Sequence, residues 1–242
     1  MACAADFERV LEIRAYARRI VQDRTIRLIA TARLRDPVLL ELVETDELDA
    51  LEEIESATGG RLQAQAKGAD RLNRRELVHG VPHANVINAA FSYWLPRSLN
   101  RFNGPGRGAW YAALALDTSV AEVSFHMERE LANISDFNAT VDYAEILASF
   151  IGDFIDLRRA NPIPVALDPN PAKSYEAGNR FADSVRAAGY YGIVYPSQRH
   201  TGGTCLVALL PHAVQSVTQG RVIRLAWTGK PGPTVSEVAA IG

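Results

Sequence analysis

The order of apolar runs in the C-terminal third constrains the fold most. Residues 191–196, 204–210 and 221–227 are short apolar runs separated by Gly, Pro and His, and they predict three successive strands. They follow an amphipathic stretch, residues 173–188, that predicts a helix ended by Gly189. Strands and helices do not alternate regularly along the chain. The sequence therefore predicts an α+β fold, with mixed or antiparallel sheets flanked by helices, rather than a doubly wound α/β sheet.

Other elements follow from periodicity and from Gly and Pro. Apolar residues at helical spacing predict helices over residues 6–22, 36–42, 46–57, 82–95 and 117–132. Short β-rich runs predict strands over residues 25–31 and 139–147. The polar stretch 61–80 is predicted to be irregular, and the proline-rich stretch 162–171 is predicted to be an exposed loop. Asp117 or Thr118 is the expected N-cap of its helix. We divide the chain into an N-terminal helical extension, residues 1–23, packed on one compact domain, residues 24–242.

Composition excludes several classes of function. The chain has 242 residues, 48% hydrophobic and 22% charged, with a formal net charge of −2, which gives no electrostatic basis for binding nucleic acid or an anionic membrane. Its only cysteines, Cys3 and Cys205, form no disulfide framework, which suits a reducing compartment, and we expect Cys205 to be structural. With neither a secretory signal nor an apolar run of about 20 residues, a cytoplasmic location is expected.

The stretch RFNGPGRGAWYAA, residues 101–113, combines features that seldom occur together. Arg101 and Arg107 have the planar fork that binds phosphate, and the glycines allow backbone N–H groups to approach an anion. Tyr111 and Trp110 offer aromatic faces for stacking. On these residues alone, a surface β-hairpin with a buried Trp110 is favoured over nucleotide binding.

Metal chemistry has weak support. His79 and His83 are four residues apart, but a proline lies between them. Glu122 and His126 are also four apart on a predicted helix, but two ligands do not make a site and no third ligand is evident. The sequence predicts no metal. It also lacks the glycine-rich dinucleotide fingerprint, the phosphate loop and the hydrolase elbow.

Residues 101–113, followed by DTSVAEVSFH at residues 117–126, resemble the RES-domain toxins of bacterial toxin–antitoxin operons. The resemblance covers roughly residues 24–228, which makes residues 24–242 the RES catalytic domain. The family's functional residues match, in order, Arg27, Arg101, Tyr111, Glu122 and Ser197. Family members often have Tyr where this chain has Leu28, and an Asn-containing pattern where it has Gly203-Thr204-Cys205. The sequence looks closest to the ParT-like branch.

The resemblance implies a core similar to the diphtheria-toxin class of ADP-ribosyltransferases, with NAD⁺ as substrate and no metal. In the ParT-like branch the implied activity is mono-ADP-ribosylation of a host protein, the phosphoribosyl pyrophosphate synthetase. NAD⁺ phosphorolysis or hydrolysis is the alternative, and a non-catalytic nucleotide-binding protein is a further one. The implied partner is an Xre-like antitoxin that blocks the NAD⁺ cleft, with no direct nucleic-acid binding by this chain.

The resemblance also implies a role for each residue. Arg27 and Arg101 would hold the pyrophosphate or a ribose, and Tyr111 would stack at the nicotinamide end. Glu122 would stabilise the oxocarbenium-like cation that forms when the glycosidic bond breaks. Ser197 would contact the nicotinamide-side phosphate or ribose. Arg107 is a secondary candidate for the anion, because its register against the family arginine is ambiguous.

Overall fold

The computed structural model describes residues 13–34, 72–92 and 99–238. Within them, one seven-stranded sheet is formed by β1 (Ala17–Ala30), β2 (Trp110–Ala113), β3 (Asn138–Asp156), β4 (Gly192–Pro196), β5 (Thr204–Ala208), β6 (Gln215–Thr228) and β7 (Thr234–Val238). Residues 13–15 are helical, and the longer α-helices of the described residues are α1 (Ala84–Ser92), α2 (Leu116–Asn133) and α3 (Pro171–Ala187).

The sheet is mixed and mostly antiparallel. Its strand order is β1-β2-β5-β4-β3-β6-β7, and β1 also pairs with β3. β1 therefore bonds to a strand on either side and closes β1, β2, β5, β4 and β3 into a ring, from which β6 and β7 extend. Among the described strands only β3 and β4 pair in parallel. The predicted α+β fold is confirmed.

The N-terminal prediction is wrong in part. Residues 17–22, expected to lie in a helix, form the first half of β1, where Ala17 pairs with Ile155 and Gln22 with Phe150. Ile20 and Val21 are β-branched and suit a strand, and pairing along β3 overrides the helical spacing. The expected boundary after residue 23 falls inside β1. Residues 13–15, within the expected helix, are helical, whereas residues 1–12 lie outside the described residues and their helix stays a prediction.

Most later elements agree with the predictions. The four C-terminal ones, α3 and strands β4, β5 and β6, all occur, β6 being longer than expected. β3 extends the expected strand at residues 139–147, and α1 lies within the expected helix at 82–95. The predicted helices at 36–42 and 46–57 lie outside the described residues. Helix α2 is confirmed, but its N-cap is Ala115 without a side-chain cap, so the expectation of Asp117 or Thr118 is wrong.

Side chains of neighbouring strands sort onto two faces of the sheet. Ile26 and Leu28 pack with α2 in one core cluster. Trp110 is fully buried in a different cluster, as the sequence predicts. Because side chains alternate along a strand, Arg27, which lies between Ile26 and Leu28, points away from α2. This sorting decides which arginines can reach the residues carried by α2.

Candidate functional site

Arg101 is held by backbone carbonyls. Its side chain is buried, and Nη1 donates to the carbonyl oxygens of Ala166 at 2.8 Å and Asp168 at 3.0 Å. Its Cζ lies 5.8 Å from the ring centroid of Tyr175 on α3. Gly178, also on α3, allows the helix to approach: a Cβ there would overlap the carbonyl oxygen of Arg101. Arg101 is thereby fixed between α3 and the segment that precedes it.

Tyr111 supports the segment that carries Arg101. Its hydroxyl accepts from the backbone N–H of Phe102 at 2.9 Å and donates to Oδ1 of Asn103 at 2.9 Å. Burial raises the pKa of Tyr111 well above its ordinary value, so the phenol stays neutral. The hydroxyl of Tyr111 thus orders the Arg-Phe-Asn segment.

Glu122 lies on α2 and faces the loop between β4 and β5. Ser197 Oγ donates to Glu122 Oε1 at 2.7 Å. The same Oγ accepts from the backbone N–H groups of Arg199 and His200, at 3.1 and 3.0 Å. Because those two donors occupy the oxygen lone pairs, the hydroxyl proton is directed at the carboxylate. The structure therefore brings together Glu122 and Ser197, two of the residues that the resemblance singled out.

The loop that carries Ser197 is tied to α2. Thr118 Oγ1 and His200 Nδ1 share a hydrogen bond of 2.8 Å, and Thr118 is fully buried. Gly203 donates its N–H to the His200 carbonyl at 3.0 Å, and a Cβ at 203 would lie 2.6 Å from Thr118 Oγ1. A glycine is thus required where the loop passes over the helix. The contact fixes Ser197 relative to Glu122.

Cys205 lies nearer the site than the sequence indicates. The expectation was a structural cysteine with no base beside it, but its Sγ is 3.5 Å from Glu122 Oε1. Burial, followed by the charge of Glu122, raises the pKa of this thiol far above its ordinary value. The group is therefore a neutral S–H donor to the carboxylate and not a nucleophile.

Arg199 lies beside Ser197 and is not among the residues that the sequence predicts for the site. Its Cζ lies 3.4 Å from the ring centroid of Phe125 on α2, and its Nη1 donates to the Pro169 carbonyl at 2.9 Å. Burial, then the positive charge of Arg101, lowers the pKa of Arg199, whereas Glu122 opposes the shift. The available signal was the arginine two residues after Ser197 in YPSQRH.

Arg27 is not brought to Glu122. It lies between Ile26 and Leu28, so its side chain points to the other face of the sheet, with Cζ 5.0 Å from the ring centroid of Trp110. Nη1 donates to the Tyr111 carbonyl at 3.1 Å, and burial lowers the pKa of Arg27 to about 10. Its expected role in holding NAD⁺ stays a prediction.

Arg107 is part of a buried ion pair. It forms two hydrogen bonds to Glu76, at 3.2 and 2.6 Å, and its Nη2 also donates to the Leu209 carbonyl at 3.0 Å. A bidentate pair of this kind holds the segment at residue 76 against the edge of the strand. Its proposed role as a secondary anion ligand stays a prediction.

Metal-binding clusters and membrane-spanning helices are both absent from the described residues. No group of three or more His, Cys, Asp and Glu side chains is positioned there to hold a metal ion. Within the same residues, no helix is both long and apolar enough to cross a bilayer.

Comparisons with known proteins identify a family and similar solved structures. A family model for the RES domain matches residues 71–228. The crystal structure of the M. tuberculosis MbcT–MbcA toxin–antitoxin complex is similar with a TM-score of 0.44 and 13% sequence identity, covering 90% of this chain and 92% of that chain. No curated protein matches the chain.

Proposed function

This chain belongs to the RES-domain family, and we propose that it is the toxin of a toxin–antitoxin pair and consumes NAD⁺ by transferring ADP-ribose to a host protein. The observation that carries this proposal is the carboxylate of Glu122, which is held by the hydroxyl of Ser197 at 2.7 Å. An oriented carboxylate is what cleavage of a cationic nicotinamide riboside needs. A core of the ADP-ribosyltransferase type and a cytoplasmic location belong to the same proposal.

In the proposed reaction the bond between nicotinamide and ribose breaks, and positive charge builds up on the ribose. Glu122 stabilises this oxocarbenium-like cation and orients the nucleophile. Ser197, with its hydroxyl proton directed at Glu122, keeps the carboxylate in place without neutralising it. Arg101 binds an anionic part of the dinucleotide, and Tyr111 keeps the Arg101 segment ordered through its hydroxyl.

The acceptor in this proposal is a protein, and the phosphoribosyl pyrophosphate synthetase of nucleotide synthesis is the candidate that the family resemblance supplies. NAD⁺ phosphorolysis or hydrolysis is the second candidate, because Glu122 and Ser197 act on the ribose side and serve equally when phosphate or water attacks. The partner is an Xre-like antitoxin that covers the cleft between α2 and the β4–β5 loop.

The deciding experiment uses NAD⁺ labelled in its adenylate moiety, incubated with the purified chain and with cell lysate. Label on one protein band supports transfer. When purified phosphoribosyl pyrophosphate synthetase then replaces the lysate, it should become labelled. Free ADP-ribose, or its 1″-phosphate when phosphate is added, supports the second candidate. NAD⁺ that stays intact for hours at stoichiometric protein contradicts both and favours a non-catalytic nucleotide-binding protein. Glu122→Gln is the matched inactive control.

A further inference from the structure

Arg101 and Arg199 converge on the same short segment, residues 166–169. Arg101 donates to two carbonyl oxygens and Arg199 to one. Neither forms an ion pair within the described part of the chain, where Arg107 and Arg221 do. Uncompensated guanidinium groups that converge at partly buried positions favour an anion between them.

The two guanidinium groups influence each other through space. The charge of Arg101 disfavours ionisation of Arg199, and Glu122 acts in the opposite direction. Tyr175 is near both: its ring lies below Arg101, and both its charge interaction and a hydrogen bond with Arg199 favour the charged guanidinium. An anion bound between the arginines would relieve the repulsion between them.

Arg199 also has donors to spare and is held in place. Its Nη2 is buried and has no hydrogen-bond partner among the described residues. Stacking on Phe125 leaves the in-plane N–H groups of a guanidinium free to bind a ligand. Its backbone N–H donates to Ser197, which fixes the start of the side chain. Arg199 further lines an open groove of about 550 Å³ along α2, so part of its side chain is exposed to solvent.

We propose that Arg199 and Arg101 together form a subsite for a phosphoryl oxyanion, and that Arg199, rather than Arg27, is the second arginine of the site. The inference rests on the proposed function and adds to it the chemical group that the two arginines bind. Arg27 lies on the opposite face of the sheet, over Trp110, whereas Arg199 lies over Phe125 on α2 and its backbone N–H donates to Ser197. The oxyanion comes either from the diphosphate of NAD⁺ or from free inorganic phosphate that acts as a co-substrate.

The test compares Arg199→Met and Arg199→Lys with Arg129→Met. Arg129 is a matched control because it is exposed on α2 and also lies over Phe125, with Cζ 5.9 Å from the ring centroid. Binding of ADP-ribose and of adenosine, which lacks phosphate, is measured by calorimetry, and the KM values for NAD⁺ and inorganic phosphate are measured separately. A thermal melt of each variant confirms folding, and Arg199→Lys alone carries the test if the Met variant unfolds.

If the diphosphate occupies the subsite, Arg199→Met weakens ADP-ribose binding by about 10- to 100-fold, the range for a charge-assisted hydrogen bond, and leaves adenosine binding unchanged. Arg199→Lys then loses part of this affinity because the fork is lost. If free phosphate occupies it, the KM for phosphate rises instead. Unchanged values for every ligand, or equal losses for adenosine, overturn the inference. Wild-type protein that neither binds ADP-ribose nor consumes NAD⁺ contradicts the proposed function as well.

Discussion

Gly178→Ala tests how α3 positions Arg101. Alanine favours a helix over glycine by about 1 kcal/mol, so a solvent-facing exchange would be stabilising. Here, however, the new Cβ overlaps the carbonyl oxygen of Arg101, a backbone atom that cannot rotate away as a side chain can. Overpacking typically costs about 1–3 kcal/mol, and this overlap belongs at the upper end. We expect a net loss of about 2 kcal/mol in the free energy of unfolding.

For a chain of this size, that loss lowers Tm by about 4–8 °C, measured by circular dichroism or calorimetry. The KM for NAD⁺ should rise too, because relief of the overlap displaces Arg101. Lys173→Ala is the control: Lys173 is exposed on the same helix, so its removal changes stability by less than about 0.5 kcal/mol. A Tm for Gly178→Ala at or above that of the wild type would refute a close approach of α3 to Arg101.

The remaining predictions concern Glu122, Arg101, Ser197 and the pair formed by Glu76 and Arg107. Glu122→Gln should lower NAD⁺ turnover by about 10²–10⁴ and abolish toxicity with Tm preserved; full activity would contradict its assignment. Arg101→Lys should raise the KM for NAD⁺ despite the retained charge, and near-native affinity would count against a fork-shaped contact. Ser197→Ala removes the donor at 2.7 Å from Glu122 and two backbone contacts, so kcat should fall more than KM rises. Partial burial opposes ionisation of Glu76, but the hydrogen bond from Arg107 outweighs it and lowers the pKa of Glu76 below 4.5. The stability that this carboxylate contributes is therefore present above pH 4.5 and is lost as the pH falls through the lowered pKa. The Tm difference between wild type and Glu76→Gln should shrink over that acidic range, and a constant difference would contradict the ion pair.

Local sequence patterns predicted the helix and strands that carry the candidate site better than they predicted contacts between distant parts of the chain. The periodicity of α2 and the turn residues around β4 and β5 indicate where Glu122 and Ser197 lie, because those signals depend on near neighbours. The strand at residues 17–22 was missed because its conformation depends on pairing with β3, more than a hundred residues away.

The direction of side chains was the second feature that the sequence could not predict. Nothing local reveals that Arg27 points away from α2, since that follows from which neighbours pack with the helix. Cys205, at the start of β5, reaches Glu122, and Arg199 reaches Phe125, because the β4–β5 loop folds over α2. Resemblance to the family indicated the residues of the motif, but only the assembled sheet shows which of them converge.

The wide separation in sequence between Glu122 and its partner Ser197 has a consequence during synthesis. The two residues are 75 positions apart, and the loop that joins them in space ends on β5, one of the later strands of the sheet. At typical rates of translation, about 4–15 s pass between the addition of the two residues. Throughout that interval the nascent chain carries a carboxylate with no hydroxyl to orient it. Under the proposed function, we therefore expect a product truncated before residue 197 to be inert. We also expect a restraining partner to be needed only once β5 has left the ribosome.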